Sequence, residues 1–288
     1  MQDTIKKFMK NKKKLHICLR GIIQLIYFLL IPSAYTAAFA GVKYLFTQIG
    51  AVEKIQWNSF LAILIVLCVY TIIFGRFFCG FACTFGSFGD ALHWIYQKTC
   101  KKLKKKPIKI SEKITGLLIY LKYIVLVAIL ILCYLGLYGN LQGSSPWDVF
   151  SMIHAGNLKL GAYTVGVVVL ILLILGMCIQ ERFFCRFFCP MGAVFSILPV
   201  LPFFSLHRDR EECLRGCKGC EKKCPVDVKL PNSGTMEVRG ECIQCQKCID
   251  TCPKSNVHCG VSKVRGNEFL FTIIRAMLLA GLLIWAGI

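Results

Sequence analysis

The sequence predicts an all-α polytopic membrane bundle that carries one small α+β domain rich in cysteine. Three observations predict it. Apolar residues make up 56% of the 288-residue chain, more than the roughly 45–50% of ordinary soluble domains. They gather in five blocks, 21–40, 59–78, 115–138, 161–180 and 269–288, and about 20 helical residues suffice to cross a ~30 Å hydrocarbon core. Eight of the 18 cysteines fall in two tight runs between 213 and 252.

Residues 1–20 form a basic arm with Lys6, Lys7, Lys10, Lys12, Lys13, Lys14 and Arg20. The apolar stretch after it has no evident small-residue cleavage site, so it reads as a retained first span. Pro32 should kink that span, because proline removes a backbone donor and crowds the preceding turn. Between the second and third blocks lie Lys98, Lys101, Lys102, Lys104, Lys105, Lys106, Lys109 and Lys113. The loops 41–58 and 139–160 hold only Lys43 and Lys54, and Lys159. This alternation places the N-terminus, the loop 97–114 and the segment after the fourth span on the cytoplasmic side of a cell inner membrane. The expected units are the arm 1–20, a transmembrane bundle 21–204, a cytoplasmic domain 205–266 and a last span 267–288. The net charge of +20 does not call for nucleic acid, since the basic runs abut spans, where topology and anionic lipid account for them.

The bundle contains a repeat. Arg76-Phe77-Phe78-Cys79-Gly80-Phe81-Ala82-Cys83-Thr84-Phe85-Gly86 follows the second span, and Arg182-Phe183-Phe184-Cys185-Arg186-Phe187-Phe188-Cys189-Pro190-Met191-Gly192 follows the fourth. The offset is 106 residues, and seven of eleven positions match. Two spans and a Cys-x3-Cys turn therefore form a unit used twice, and equal orientation implies a pseudo-two-fold axis along the membrane normal. On a helix, cysteines four apart share a face. The two-fold would bring Cys79, Cys83, Cys185 and Cys189 together at the cytoplasmic membrane edge, fit for a further iron–sulfur cluster or another thiophilic metal. Arg76 and Arg182 would offset its negative charge. The alternative is that these thiols pack as small hydrophobes.

The cysteine runs are more specific. Cys213, Cys217, Cys220 and Cys224 precede Pro225, and Cys242, Cys245, Cys248 and Cys252 precede Pro253. The second run is Cys-x2-Cys-x2-Cys-x3-Cys-Pro, the spacing of a two-cluster bacterial ferredoxin, in which the fourth cysteine of each run serves the other cluster. Cluster I then uses Cys213, Cys217, Cys220 and Cys252, and cluster II uses Cys242, Cys245, Cys248 and Cys224. A structural zinc site would use the same residue type, but two runs each closing on Cys-Pro fit cubanes better. Disulfides are not expected in a cytoplasmic segment.

Other residues read more plainly. Cys18, Cys68, Cys100, Cys133, Cys178 and Cys259 are expected to pack or to be free thiols. Asp90 and His93 suit a polar interface, with proton handling for a quinone as the alternative. His154, beside Trp147 and Asp148, belongs to the outer loop. Lys122 and Arg275 should snorkel to the cytoplasmic face. No Cys-x2-Cys-His, P-loop or strand-borne Gly-x-Gly-x2-Gly is present, so donors that need haem, nucleotide or flavin are separate proteins.

The Arg-Phe-Phe-Cys-x3-Cys duplication joined to the double cysteine run resembles the membrane-bound ferredoxin-type proteins of the NapH/MauN and NosR group. The resemblance is clearest over 59–260. It implies electron transfer between the quinone pool or a cytoplasmic donor and a partner redox protein, such as a reductase or flavoprotein. It also implies that Cys79, Cys83, Cys185 and Cys189 matter to that transfer. Thr84, where the family has proline, and the lengthened Cys213-x3-Cys217 depart from the pattern. The rival readings are a copper-handling or cuproenzyme assembly factor, whose soft thiolates would suit Cu(I), and a redox sensor.

Overall fold

The computed structural model describes residues 2–108, 110–141, 145–157, 161–201, 205–230, 233–236, 239–260 and 267–288. It describes their side chains except at 2–10, 112–113, 140–141, 162 and 233–236. Lys109 and Lys159 lie outside the described residues, and Lys6, Lys7, Lys10 and Lys113 outside the described side chains.

Helix α1 (Gln2–Leu30) runs from the basic arm into the first apolar block, and α2 (Ala34–Gly50) continues it after a break at Pro32. The two axes diverge by 61°, as expected where a proline interrupts the backbone ladder. Helix α3 (Ser59–Phe74) starts on Asn58, whose side chain accepts from Leu61 N at 2.9 Å. It ends at Gly75, with φ +68°, a conformation that glycine takes without steric cost. Then come α4 (Thr84–Lys102), α5 (Glu112–Leu118), α6 (Leu121–Tyr134), α7 (Pro146–His154) and α8 (Thr164–Ile179). The short α9 (Phe183–Phe187) and α10 (Pro190–Ile197) follow, and α13 (Glu268–Trp285) closes the chain. Helix α2 packs on α3 and α6, α4 on α8, α10 on α6 and α13 on α3.

By length and composition, 114–134 and 268–285 can each cross a membrane, and the bent pair α1–α2 makes a third candidate. Helices α3 and α8 are apolar but only 16 residues long.

The cysteine-rich segment holds a three-stranded antiparallel sheet in the order β2 (Ser233–Met236), β1 (Leu206–Asp209), β3 (Val257–Cys259), with short helices α11 (Gly219–Lys222) and α12 (Lys247–Thr251). Its small core of Leu206, Val228, Leu230 and Val257 includes Cys242, Cys252 and Cys259. Ile243 and Cys245 instead belong to the core of the helical bundle. The segment is therefore docked on the bundle through its second cysteine run.

Two expectations need correction. Lys122 and Arg275 do not snorkel to solvent: both are buried. Lys122 Nζ meets Glu241 at 2.6 Å, and the Arg275 guanidinium stacks 4.7 Å from the centre of the Phe77 ring. A partner within reach, a carboxylate for Lys122 and an aromatic face for Arg275, holds each cation in place without a long reach through apolar packing.

Candidate functional site

The two Phe-rich turns differ in their helical winding but leave it in the same way. Phe78–Ala82 is a single π-helical turn and α9 is its α-helical counterpart. In both, the second cysteine leaves the turn and becomes the N-cap of the next helix, Cys83 at φ −67°, ψ 111° and Cys189 at φ −71°, ψ 111°. The paired cysteines thus do not lie on one face of one helix, as four-residue spacing alone suggests. The second thiol sits instead at a helix N-terminus, where free N–H groups favour a thiolate. Gly192 N donates to Cys189 Sγ at 3.1 Å.

Cys79, Cys83, Cys185 and Cys189 are all buried in one core. Burial, and then the charges of Cys185, Cys79 and Cys189, push the Cys83 thiol well up. Burial, with Cys185 and Cys79, pushes Cys189 up to about 12. Four thiols buried together need a cationic centre to be thiolates at the same time. The Tyr35 hydroxyl lies 3.8 Å from Cys189 Sγ. Thr84 has a local role: its hydroxyl donates to Pro32 O at 2.9 Å, at the α1–α2 break.

The arginines of the repeat cross over. Arg182 donates from the second turn to Cys79 O and Gly80 O in the first, and pairs with Asp90 on α4. Arg76 donates from the first turn to Ser196 Oγ on α10 at 3.1 Å. A Cβ on Gly86 would collide with the Arg182 guanidinium, and one on Gly192 would press on Arg76. Glycine at these matched positions leaves room for each crossing side chain.

The cysteine module meets both turns. A Cβ on Gly80 would strike Ile243 O and crowd the Cys245 backbone. Arg186, between Cys185 and Cys189, pairs with Asp227, three residues after Cys224. Lys247, between Cys245 and Cys248, pairs with Asp90 and Glu181. Cys224, Cys242, Cys245 and Cys248 line one cavity with Cys220, Val226, Val228 and Leu230. Burial, then Cys245, Cys242, Cys224 and Cys220, raise the Cys248 thiol.

Asn256 joins two more cysteines. Its backbone N–H donates to Cys252 Sγ at 3.2 Å and its amide to Cys213 Sγ at 3.5 Å. Arg210 donates to Cys217 O and Arg208 to Cys220 Sγ at 3.3 Å. Among the described residues, no three His, Cys, Asp or Glu side chains are disposed around a single ion. Cubane ligands have no such requirement, because each thiolate takes a different iron corner. Abundant N–H donors to sulfur and apolar walls are the protein's part in such a site, and the residues present fit it.

Several participants carry no motif. His16 on α1 is buried between Asp250 at 2.6 Å and Gln246 at 2.8 Å. Gln24 bridges Gly80 O and Asp90, and Glu241 meets Lys122 and Tyr123. Their partners lie 56 to 234 positions away, so no local pattern signals them. His93 Nδ1 contacts Cys178 O at 2.9 Å.

Comparison with known proteins agrees in kind. A family model described as a 4Fe-4S binding domain matches residues 58–106 and 162–202, one Cys-x3-Cys turn in each. The uncharacterized protein MJ0750 of Methanocaldococcus jannaschii is 32% identical over 82% of this chain and 92% of its own length. Protein NirI of Paracoccus denitrificans is 28% identical over 67% of this chain but 28% of its own length. The ferredoxin-type protein NapH of Haemophilus influenzae is 24% identical over 65% of this chain and 63% of its own. No solved structure matches.

Proposed function

We propose that this chain, which belongs to the NapH/NosR-type family of 4Fe–4S electron-transfer proteins, passes single electrons between a cytoplasmic or quinone donor and a partner redox protein. Cys224, Cys242, Cys245 and Cys248 would hold one cubane and Cys213, Cys217, Cys220 and Cys252 the other. Cys79, Cys83, Cys185 and Cys189 would hold a further iron–sulfur centre. When bound, such clusters exchange single electrons. The chain's own residues bury the sulfurs, donate N–H groups to them and set the surrounding charge.

The observation that carries this reading is the seat of the second cysteine run on the first turn, at Gly80 against Ile243 and Cys245. It seats the backbone at Ile243 and Cys245 directly on the turn that carries Cys79 and Cys83. The match of a 4Fe-4S model to the turns, rather than to the module, supports metal at the four thiols.

Five spans, with the N-terminus and the module cytoplasmic, are the matching topology. The module touches Lys13, His16 and Arg20 of α1, the turn after α3, Lys122 near the start of α6, Arg186 after α8, and Thr272 near the start of α13. Ends and starts of alternate helices meet one module, as five alternating crossings require. Sixteen residues rise about 24 Å, and the Phe-rich turns would supply the remaining apolar depth of α3 and α8.

Anaerobic purification of the full chain with iron, sulfide and EPR analysis tests this. About eight irons are expected from the module, four per cubane, and more from the turns. Cys79→Ser with Cys185→Ser should remove only the excess. Colourless, iron-free folded protein would refute the whole reading.

A further inference from the structure

The repeat is not symmetric in its carboxylates. Asp90 and Ser196 are equivalent at the 106-residue offset, as are Arg182 and Arg76. Arg182 therefore meets a carboxylate, through Nε at 2.9 Å and Nη2 at 2.5 Å. Arg76 meets only a hydroxyl at the matching position.

Glu241, beside Cys242 in the module, stands where that carboxylate is missing. Its Oε2 lies 3.8 Å from Arg76 Nη1 and 2.6 Å from Lys122 Nζ. Ser196 Oγ accepts from both Arg76 and Lys122 at 3.1 Å. Gly240 O accepts from Arg76 at 3.1 Å. A Cβ on Gly240 would collide with Ser196 O, so the module backbone lies directly on α10. Arg76 and Lys122 are buried, while Glu241 is 39% exposed at its side chain. The carboxylate thus reaches in from the module to two cations locked in the bundle.

We propose that Glu241 is a positioning residue of the four-thiol site: it supplies from the cysteine module the carboxylate that the second repeat lacks at Ser196. Through Arg76 it holds the Cys79 turn against Gly192 and Cys189. Asp90 does the same for Arg182 within the bundle. The carboxylate that braces Arg182 comes from the bundle itself, whereas the one that braces Arg76 is present only when the module is docked. Closure of the four thiols is thereby tied to a seated module. The metal in this site rests on the reading above, but the brace itself does not.

The test is iodoacetamide labelling of the full chain, purified anaerobically in detergent, with mass spectrometry resolving Cys79, Cys83, Cys185 and Cys189. In Glu241→Gln the rate at Cys79 and Cys189 should rise roughly a hundredfold, since two buried cations lose their carboxylate and the turn opens. Ser196→Asp added to Glu241→Gln should return labelling to the wild-type rate, because the carboxylate is restored from the α10 side. Should Glu241→Gln fail to accumulate, Lys122→Met with Glu241→Gln keeps the local charge and should still expose Cys79 and Cys189. Thiols that stay protected without Glu241, or that Ser196→Asp does not re-protect, overturn the proposal. Iron analysis of the same samples separates the two claims. Wild type without iron beyond the two cubanes refutes the third centre, and the labelling comparison still decides the role of Glu241.

Discussion

The buried Arg182 of the second turn and the half-buried Asp90 behind the first form a two-point ion pair, 2.9 Å from Nε to Oδ1 and 2.5 Å from Nη2 to Oδ2. The same guanidinium donates to Cys79 O and Gly80 O, and Lys247 approaches Asp90 from the module at 3.7 Å. One carboxylate therefore joins both repeats and the second cysteine run. The cost of burying Arg182 is offset only while that carboxylate is charged and present.

Asp90→Asn should cost ~3–5 kcal/mol, the usual penalty for removing one member of a buried pair. The pH dependence has a definite sign. Burial alone would raise the Asp90 carboxyl, but Arg182 and then Lys247 hold it at about 2, below the ordinary value of ~3.9. A lowered folded-state value stabilises fully above about pH 4 and ceases to do so as pH falls toward 2. Thermal melts of wild type and Asp90→Asn should differ most above pH 4 and converge below it. A constant gap across that window would show that the pair does not titrate as described.

Gly80 predicts a different failure. A methyl there would meet Ile243 O and the Cys245 backbone, and backbone cannot swing aside as a flexible side chain can. Gly80→Ala should leave the bundle folded but unseat the second run. Limited proteolysis should then cut the module at Arg239 and Lys247 in the variant at least about tenfold faster, as expected when docking no longer limits local opening. Equal cutting rates would mean that the seat tolerates the methyl.

Much of this architecture was legible in the sequence because its signals are local. Apolar blocks, cysteine spacing and the Phe-Phe-Cys repeat each lie within a few turns of chain, and the break at Pro32 follows from one residue. The ion pairs were not legible. Asp90–Arg182 and Lys122–Glu241 join positions 92 and 119 apart, and nothing in either local stretch names the partner. Lys122 misled because a lysine near the end of an apolar block usually escapes to water, whereas here a module carboxylate comes to it. Cys83 and Cys189 misled differently: four-residue spacing suggested one helix face, but both residues turn the chain into the next helix.

Thr84 shows that a departure from a motif can have a structural use. Proline fits at the first helical position, as Pro190 does in α10, and Thr84 occupies the same station of α4. Its hydroxyl donates to Pro32 O at 2.9 Å, a carbonyl left near the helix break. Thr84→Val keeps the shape and removes the donor, so it should destabilise by about 1–3 kcal/mol, the range for a buried polar group left unpaired. Thr84→Pro should cost a similar amount, although it restores the motif. A melting temperature unchanged in both variants would remove this role from Thr84.

Asn256 gives the most local test of the module. Its side chain donates to Asp209 O and to Cys213 Sγ, and its backbone N–H to Cys252 Sγ. It thus ties the start of the first run to the end of the second, which crossed ligation requires of the cluster I set. Asn256→Ala leaves the bond to Cys252 and removes the other two. The set Cys224, Cys242, Cys245 and Cys248 lines its cavity without Asn256 and should be unaffected. The variant should therefore lose about four of the module's irons, one cubane's worth, with one EPR component vanishing and the other unchanged. Loss of all iron would mean that the two sets do not form independently. Loss of none would mean that Cys213 and Cys252 are held together by something other than this amide.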